Sequence, residues 1–222
     1  MSNPEILKEF WYDLTDNERN IILQNCHEEY DNFLLGKPFN QELVNQYFKV
    51  DSGKFIYQAE KGKLKLVKIC VQLGVDIHVG GDSALRNASD NGHLEVVKYL
   101  VEHGADIHTE DEGALRWAAE EGHLEVVKYL IEHGANVHAL EDYALRGASS
   151  GGHIDVVKYL VESGVNIHDG LALRQASHYG RLDVVKYLVE CGANVHAKNN
   201  LALKLASNYG HAEVVEYLKS VS

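Results

Sequence analysis

From about residue 62 onward, apolar and polar positions alternate with a helical rather than a strand period. In the stretch 94–102, Leu94, Val97 and Val101 recur at three- and four-residue spacing, as do Val96 and Leu100. Glu95, Lys98 and Glu102 form the opposite stripe, so the pattern predicts an amphipathic helix with one buried face. Gly104 follows as a helix stop, because glycine enters the left-handed conformation without steric cost. A shorter helix precedes it, Ala84-Leu85-Arg86-Asn87-Ala88-Ser89, ending near Gly92. Asp82, Glu112, Asp142 and Asn200 stand just ahead of such short helices and are expected to cap them. Between the Ile-His end of one unit and the next Ala-Leu-Arg lie five residues, room for a tight turn or short hairpin.

The whole unit repeats. GHLEVVKYLVEHGADIH at 92–108 returns as GHLEVVKYLIEHGANVH at 122–138, GHIDVVKYLVESGVNIH at 152–168 and GRLDVVKYLVECGANVH at 180–196. A more divergent copy occupies 62–78, and GHAEVVEYL at 210–218 closes the series. The leading glycines are spaced 30, 30, 30, 28 and 30 residues apart. A fixed period of this size marks a solenoid, in which each helix pair buries its apolar face against its neighbours. The fold class expected is all-α: stacked helix-turn-helix units joined by short loops or fingers.

Helix, Gly-His turn, helix and Gly-Ala-Asp-Ile end together resemble the ankyrin repeat over roughly residues 51–220. Two features depart from that family. The usual Thr-Pro-Leu-His opening reads Ser83-Ala84-Leu85-Arg86, Gly113-Ala114-Leu115-Arg116 and Tyr143-Ala144-Leu145-Arg146, and the period is 30 rather than 33. Both shorten the projecting finger. This short form is most similar to the ankyrin-repeat proteins encoded in many copies by large DNA viruses of amoebae. The resemblance implies a curved, non-enzymatic array that binds a partner protein on the concave face built from its first helices and fingers.

Residues 1–50 lack the repeat. Asn3-Pro4-Glu5 has the form of a helix start, and Thr15 to Glu18 that of a capping box. A third helix is expected after Asn40, beyond the turn at Gly36 and Pro38. The expected division is an N-terminal helical cap over 1–50 and the array over 51–222, about five repeats and a half-repeat. Glu216, Lys219 and Ser220 give the last helix a polar outer face suited to a solenoid end. A rival assignment makes residues 1–50 a docking module of a substrate adaptor that serves a larger machine such as a ubiquitin ligase.

Composition narrows the function. The formal net charge of −12, from 33 acidic and 21 basic residues, speaks against nucleic-acid binding, which needs a basic surface. Cys26, Cys70 and Cys191 are odd in number and scattered, which suits a reducing compartment. No apolar run approaches the roughly 18 residues of a membrane span, and no basic-then-apolar leader opens the chain. The expectation is a cytoplasmic monomer (host cytoplasm if viral) that binds neither membrane nor nucleic acid.

Chemistry is sparse. Eleven of the thirteen histidines occupy repeated positions, and neighbouring rungs lie about 8–10 Å apart, too far to converge on a zinc ion. Hydrogen bonds to turn backbones are their expected use. His27-Glu28-Glu29-Tyr30-Asp31 lacks the second histidine of a metalloprotease helix. Catalytic, cofactor and metal sites are therefore expected to be absent. Arg86, Arg116, Arg146, Arg174 and Lys204 form a ladder expected to pair with loop acids such as Glu110, Asp111, Glu141 and Asp142. Tyr99, Tyr129, Tyr159, Tyr187 and Tyr217 read as packing residues of the second helices.

Specificity belongs where the copies differ. The variable pairs after the first helix are Asp90-Asn91, Glu120-Glu121, Ser150-Gly151, His178-Tyr179 and Asn208-Tyr209. Within that helix the variable position holds Asn87, Trp117, Gly147, Gln175 and Leu205, and loop tips vary through Gly80-Gly81, Glu110-Asp111 and Leu140-Glu141. A contraction at Asp169-Gly170 is expected to leave a notch beside Leu171. Residues 101–125 carry eight acids and one base, Arg116, around Trp117, whereas later repeats offer Tyr143, His178, Tyr179 and Tyr209. The partner expected is a protein with a basic segment and an apolar continuation. Its candidate contacts are Asn87, Asp90, Asn91, Glu110, Asp111, Trp117, Glu120, Glu121, Tyr143, Gln175, His178, Tyr179, Asn208 and Tyr209.

Overall fold

A computed structural model describes residues 52–221 apart from residue 73. The expected cap over 1–50 lies outside the described residues. Among the described residues the chain forms only helices, in antiparallel pairs: α1 (Ser52–Glu60) with α2 (Leu64–Gln72), then α3 (Val79–Asp90) with α4 (Leu94–Glu102). The series continues as α5 (Thr109–Glu120), α6 (Leu124–Glu132), α7 (Ala139–Gly151) and α8 (Ile154–Glu162). It closes with α9 (Leu171–His178), α10 (Leu182–Glu190), α11 (Ala197–Asn208) and α12 (Ala212–Ser220).

Each pair buries the same set. In the second described unit Ala84, Leu85 and Ala88 of α3 meet Val96, Val97 and Leu100 of α4, all at most 1% exposed. A fully buried leucine of this kind contributes about 2 kcal/mol by area. The first helices carry alanine at the contact positions and approach one another more closely than the second helices, which bring valine, leucine and tyrosine. Unequal spacing bends the row, so the odd-numbered helices line the inner side. The repeated tyrosines of the second helices pack against the core, as their spacing implies.

Two glycines per unit set the turns. Gly92 (φ 71°) reverses the chain between α3 and α4, and Gly104 (φ 98°) ends α4. The loop between units holds no hairpin. Glu110, Asp111 and Glu112 each adopt a left-handed conformation (φ 51°, 52° and 63°), a single left-handed turn that runs directly into α5. The same turn occurs at Gly80–Asp82, Leu140–Asp142 and Lys198–Asn200. Left-handed backbone costs roughly 1–2 kcal/mol per non-glycine residue, so the surroundings must hold it.

Buried acids and ring nitrogens do so. Asp82, Glu112 and Asp142 were expected as helix caps, but their carboxylates are buried and bonded elsewhere. His78 Nδ1 lies 3.1 Å from Asp82, His108 Nδ1 2.7 Å from Glu112 and His138 Nδ1 2.8 Å from Asp142. Asp82 also accepts the backbone N–H of Asp106 (3.0 Å), and Asp142 that of Asn166 (3.2 Å), each in the next unit. The left-handed turn swings the side chain inward, away from the amides of its own helix. Asn200 faces His196 in the same way at 2.8 Å.

The contracted loop lacks this turn. Gly170 is buried, and a Cβ there would lie 2.6 Å from that of Ala197, so the expected notch is filled by the next unit. With no acid four residues on, His168 Nδ1 turns instead to the Gly192 carbonyl at 3.1 Å.

Candidate protein-binding surface

The inner side presents parallel rows, one residue per unit. The arginine row faces the loops. Arg86 donates to the Gly81 carbonyl (2.9 Å), Arg116 to Glu110 (2.8 Å) and Arg146 to Leu140 (2.7 Å), so each guanidinium braces a left-handed turn. The expected pairing with loop acids holds for Arg86 and Glu110, 2.5 Å apart; Arg116 and Arg146 use loop carbonyls instead. Both also pack over the Tyr143 ring, whose centre lies 5.0 and 5.2 Å from their Cζ atoms. Tyr143 OH donates to Glu120 Oε2 at 3.4 Å. Gly147 makes that reach possible, because a side chain there would press on Glu120.

The next row is Tyr57, Asn87, Trp117, Gly147, Gln175 and Leu205, in which Tyr57 is 53% and Trp117 42% exposed. Among the described residues Trp117 makes no ring contact, and the small Gly147 flanks it. Tyr57 escaped the sequence reading, although its place thirty residues before Asn87 was visible.

The third row, Glu60, Asp90, Glu120, Ser150, His178 and Asn208, changes character along its length. Burial, and after it the carboxylates of Glu121 and Glu60, holds Asp90 above the ordinary aspartate range, while His123 opposes them. These acids therefore share one electrostatic neighbourhood across three units. Asn91 folds back, its amide donating to the Asn87 carbonyl at 2.9 Å. Two units later the row is aromatic. His178 packs against Tyr179 (4.5 Å between ring centres) and Tyr209 (4.2 Å), with the two tyrosines 50% and 59% exposed.

The acids of the stretch 101–125 are divided among different environments. Glu112 is buried, Glu110 is engaged by Arg86, and Glu125 pairs with Lys128 (2.8 Å) on a second helix. Asp111, Glu120 and Glu121 remain on or beside the first helix, with Asp111 and Glu121 exposed.

The histidines after the turn glycines bridge units. His93 Nε2 lies 2.9 Å from the Glu60 carbonyl, His123 Nε2 2.9 Å from Asp90 and His211 Nε2 2.7 Å from His178. Arg181 substitutes, donating through Nε to Ser150 at 2.8 Å. His103 and His133 turn Nδ1 to the carbonyls of Tyr99 and Tyr129 (2.8 and 2.7 Å). These ring nitrogens act on backbone carbonyls, as the spacing implies.

A family model of ankyrin repeats in three copies matches residues 24–111, 55–141, 109–170 and 145–221. The chain belongs to the ankyrin-repeat family. Among solved structures it is similar to the ankyrin repeat domain of human ASB11, at 27% identity and a TM-score of 0.67. That match covers 75% of this chain and 82% of the other. No curated protein matches. Ankyrin-repeat domains are in general non-enzymatic modules of protein–protein interaction, so the function expected of these rows is to hold a protein partner. Among the described residues no helix is long and apolar enough to cross a membrane.

Proposed function

We propose that this ankyrin array is a non-enzymatic scaffold that holds a partner protein on its inner face. The partner presents a basic segment to Asp90, Glu120 and Glu121, and an apolar continuation to Trp117, Tyr179 and Tyr209. The observation that carries this reading is the change of character within one row. The row carries carboxylates at Glu60, Asp90 and Glu120, with Asp90 raised first by burial and then by the charges of Glu121 and Glu60, and two units later an exposed aromatic cluster replaces them. Charged rims steer and select, while exposed aromatic anchors supply most of the affinity.

The short Ala-Leu-Arg repeat supports an origin in a large DNA virus of amoebae, and there the partner would be a host protein met in the host cytoplasm. The array acts as a monomer in this reading. Residues 1–50 complete it as a helical cap.

Crosslinking capture from lysate tests the reading, comparing the wild type with Trp117→Ala/Glu120→Lys/Glu121→Lys after circular dichroism shows both folded. A protein held by the wild type and lost by the variant, with affinity falling as salt rises, is the expected outcome. Equal capture by both overturns it. An adaptor in which residues 1–50 dock onto a larger machine such as a ubiquitin ligase is a second reading, favoured by the absence of the GHLEVVKYL pattern there. Deleting 1–50 separates the two. Loss of solubility marks a cap, and a soluble array that loses one partner marks a docking module.

A further inference from the structure

The arginine row ends in cations that no loop engages. Arg86, Arg116 and Arg146 each brace the left-handed turn of their own unit. In the fifth unit the chain is two residues shorter and that turn is gone; the Arg174 backbone N–H donates to the Gly170 carbonyl (3.0 Å), but its guanidinium makes no hydrogen bond or ion pair among the described residues. Lys204, one unit on, is exposed and likewise unengaged. Asp169, the acid nearest in sequence, spends Oδ1 on the Leu171 amide at 2.8 Å.

The charge balance reverses with the same step. Residues 171–209 hold five basic side chains (Arg174, Arg181, Lys186, Lys198, Lys204) against two acids, Asp183 and Glu190. Those two acids lie on the second helix α10, so the first helices α9 and α11 carry no acid at all. His178 sits one helical turn beyond Arg174 and brings the exposed Tyr179 and Tyr209 to the same stretch. A cation that is normally consumed by the fold is released beside aromatic side chains.

We propose that the inner face reads a bipolar segment: basic residues over Asp90, Glu120 and Glu121, then a carboxylate side chain, set among apolar residues, over Arg174 and Lys204. This rests on the proposed inner-face function and adds the acid and its spacing. Two rungs separate Glu120 from Arg174. At about 8–10 Å per rung and about 3.3 Å per extended residue, the acid stands roughly five or six residues from the basic cluster.

A random 16-residue peptide library displayed on phage and panned against the full chain tests this. Parallel selections use Arg174→Gln/Lys204→Gln and Glu120→Gln/Glu121→Gln. Wild type is expected to enrich peptides with a basic cluster and an acid at that separation. The first variant should lose the acid and keep the basic cluster; the second should do the reverse. An acid that is absent from the wild-type selection, or that persists with Arg174→Gln/Lys204→Gln, overturns the proposal while leaving the basic-segment reading intact. Loss of both preferences in every selection overturns the two together.

Discussion

His123 Nε2 lies 2.9 Å from the carbonyl of Asp90, thirty-three residues earlier, and its imidazole rests on the bare Cα of Gly92. A Gly-His dipeptide such as Gly92-His93 therefore serves two units at once. Its glycine makes the local turn and also leaves the seat for the histidine of the unit that follows.

Two glycines with similar backbone demands should consequently respond differently to alanine. Gly92 (φ 71°) would place a methyl against the His123 ring, whereas a Cβ at Gly104 (φ 98°) meets nothing within 4 Å. Gly104→Ala should cost about 1–2 kcal/mol, the left-handed penalty alone. Gly92→Ala should cost more, by an increment that disappears in a His123→Ala background. Urea unfolding of the four variants and a double-mutant cycle measure that increment. An equal cost at the two glycines would show that the ring seat is unimportant.

Glu112 fills a place where the ladder prefers aspartate. Asp82 and Asp142 each reach both their own histidine and the next unit's amide, but Glu112 bonds only His108 and leaves Oε2 buried without a partner. An unsatisfied buried acceptor costs about 1–3 kcal/mol. Glu112→Asp should raise the thermal midpoint by restoring the bond across units. A lower midpoint would mean that the longer side chain is needed for packing.

His108 should give the array a pH dependence. The hydrogen bond to Glu112, and after it the charges of Glu112 and Asp106, raises the imidazole above its ordinary value, with burial acting in opposition. A group whose folded pKa is raised stabilises fully below its unfolded value, near 6.5, and loses that contribution as pH rises through the folded value. His108→Gln should therefore cost more stability at pH 5.5 than at pH 8. Urea midpoints of wild type and variant at the two pH values decide it; a pH-independent difference contradicts the ion pair.

The helix pairs, both glycine stops and the use of the histidines after the turns on backbone carbonyls were legible because they repeat every thirty residues and obey local rules; that His78, His108 and His138 bond carboxylates instead was not. The left-handed turns were not. Glu110-Asp111-Glu112 and Leu140-Glu141-Asp142 contain no glycine, and the conformation is imposed from outside by Arg116, Arg146 and the buried ladder. For the same reason Asp82 and Glu112 both read as helix caps. Their true partners, the amide of Asp106 in one case and His108 in the other, become neighbours only once the loop has folded. Trp117, Tyr179 and Tyr209 were visible as departures from the repeat and are exposed. Tyr143 was equally visible and is clamped.

That contrast separates stability from recognition. Trp117 is 42% exposed with no ring partner among the described residues, so Trp117→Ala should change stability by no more than about 0.5 kcal/mol. If it anchors the partner, its loss should cost about 2 kcal/mol or more of binding, the range of an interfacial hot spot. Tyr143 packs against both Arg116 and Arg146 and bonds Glu120, so Tyr143→Ala should act first on the fold, loosening both guanidinium braces. Tyr143→Phe keeps the stacked ring and removes only the 3.4 Å bond to Glu120, and should leave stability nearly unchanged. Thermal midpoints and affinity for the captured partner, measured on all three variants, assign each residue. A destabilised Trp117→Ala beside a fully stable Tyr143→Ala would reverse the assignment and move the recognition surface to the arginine row.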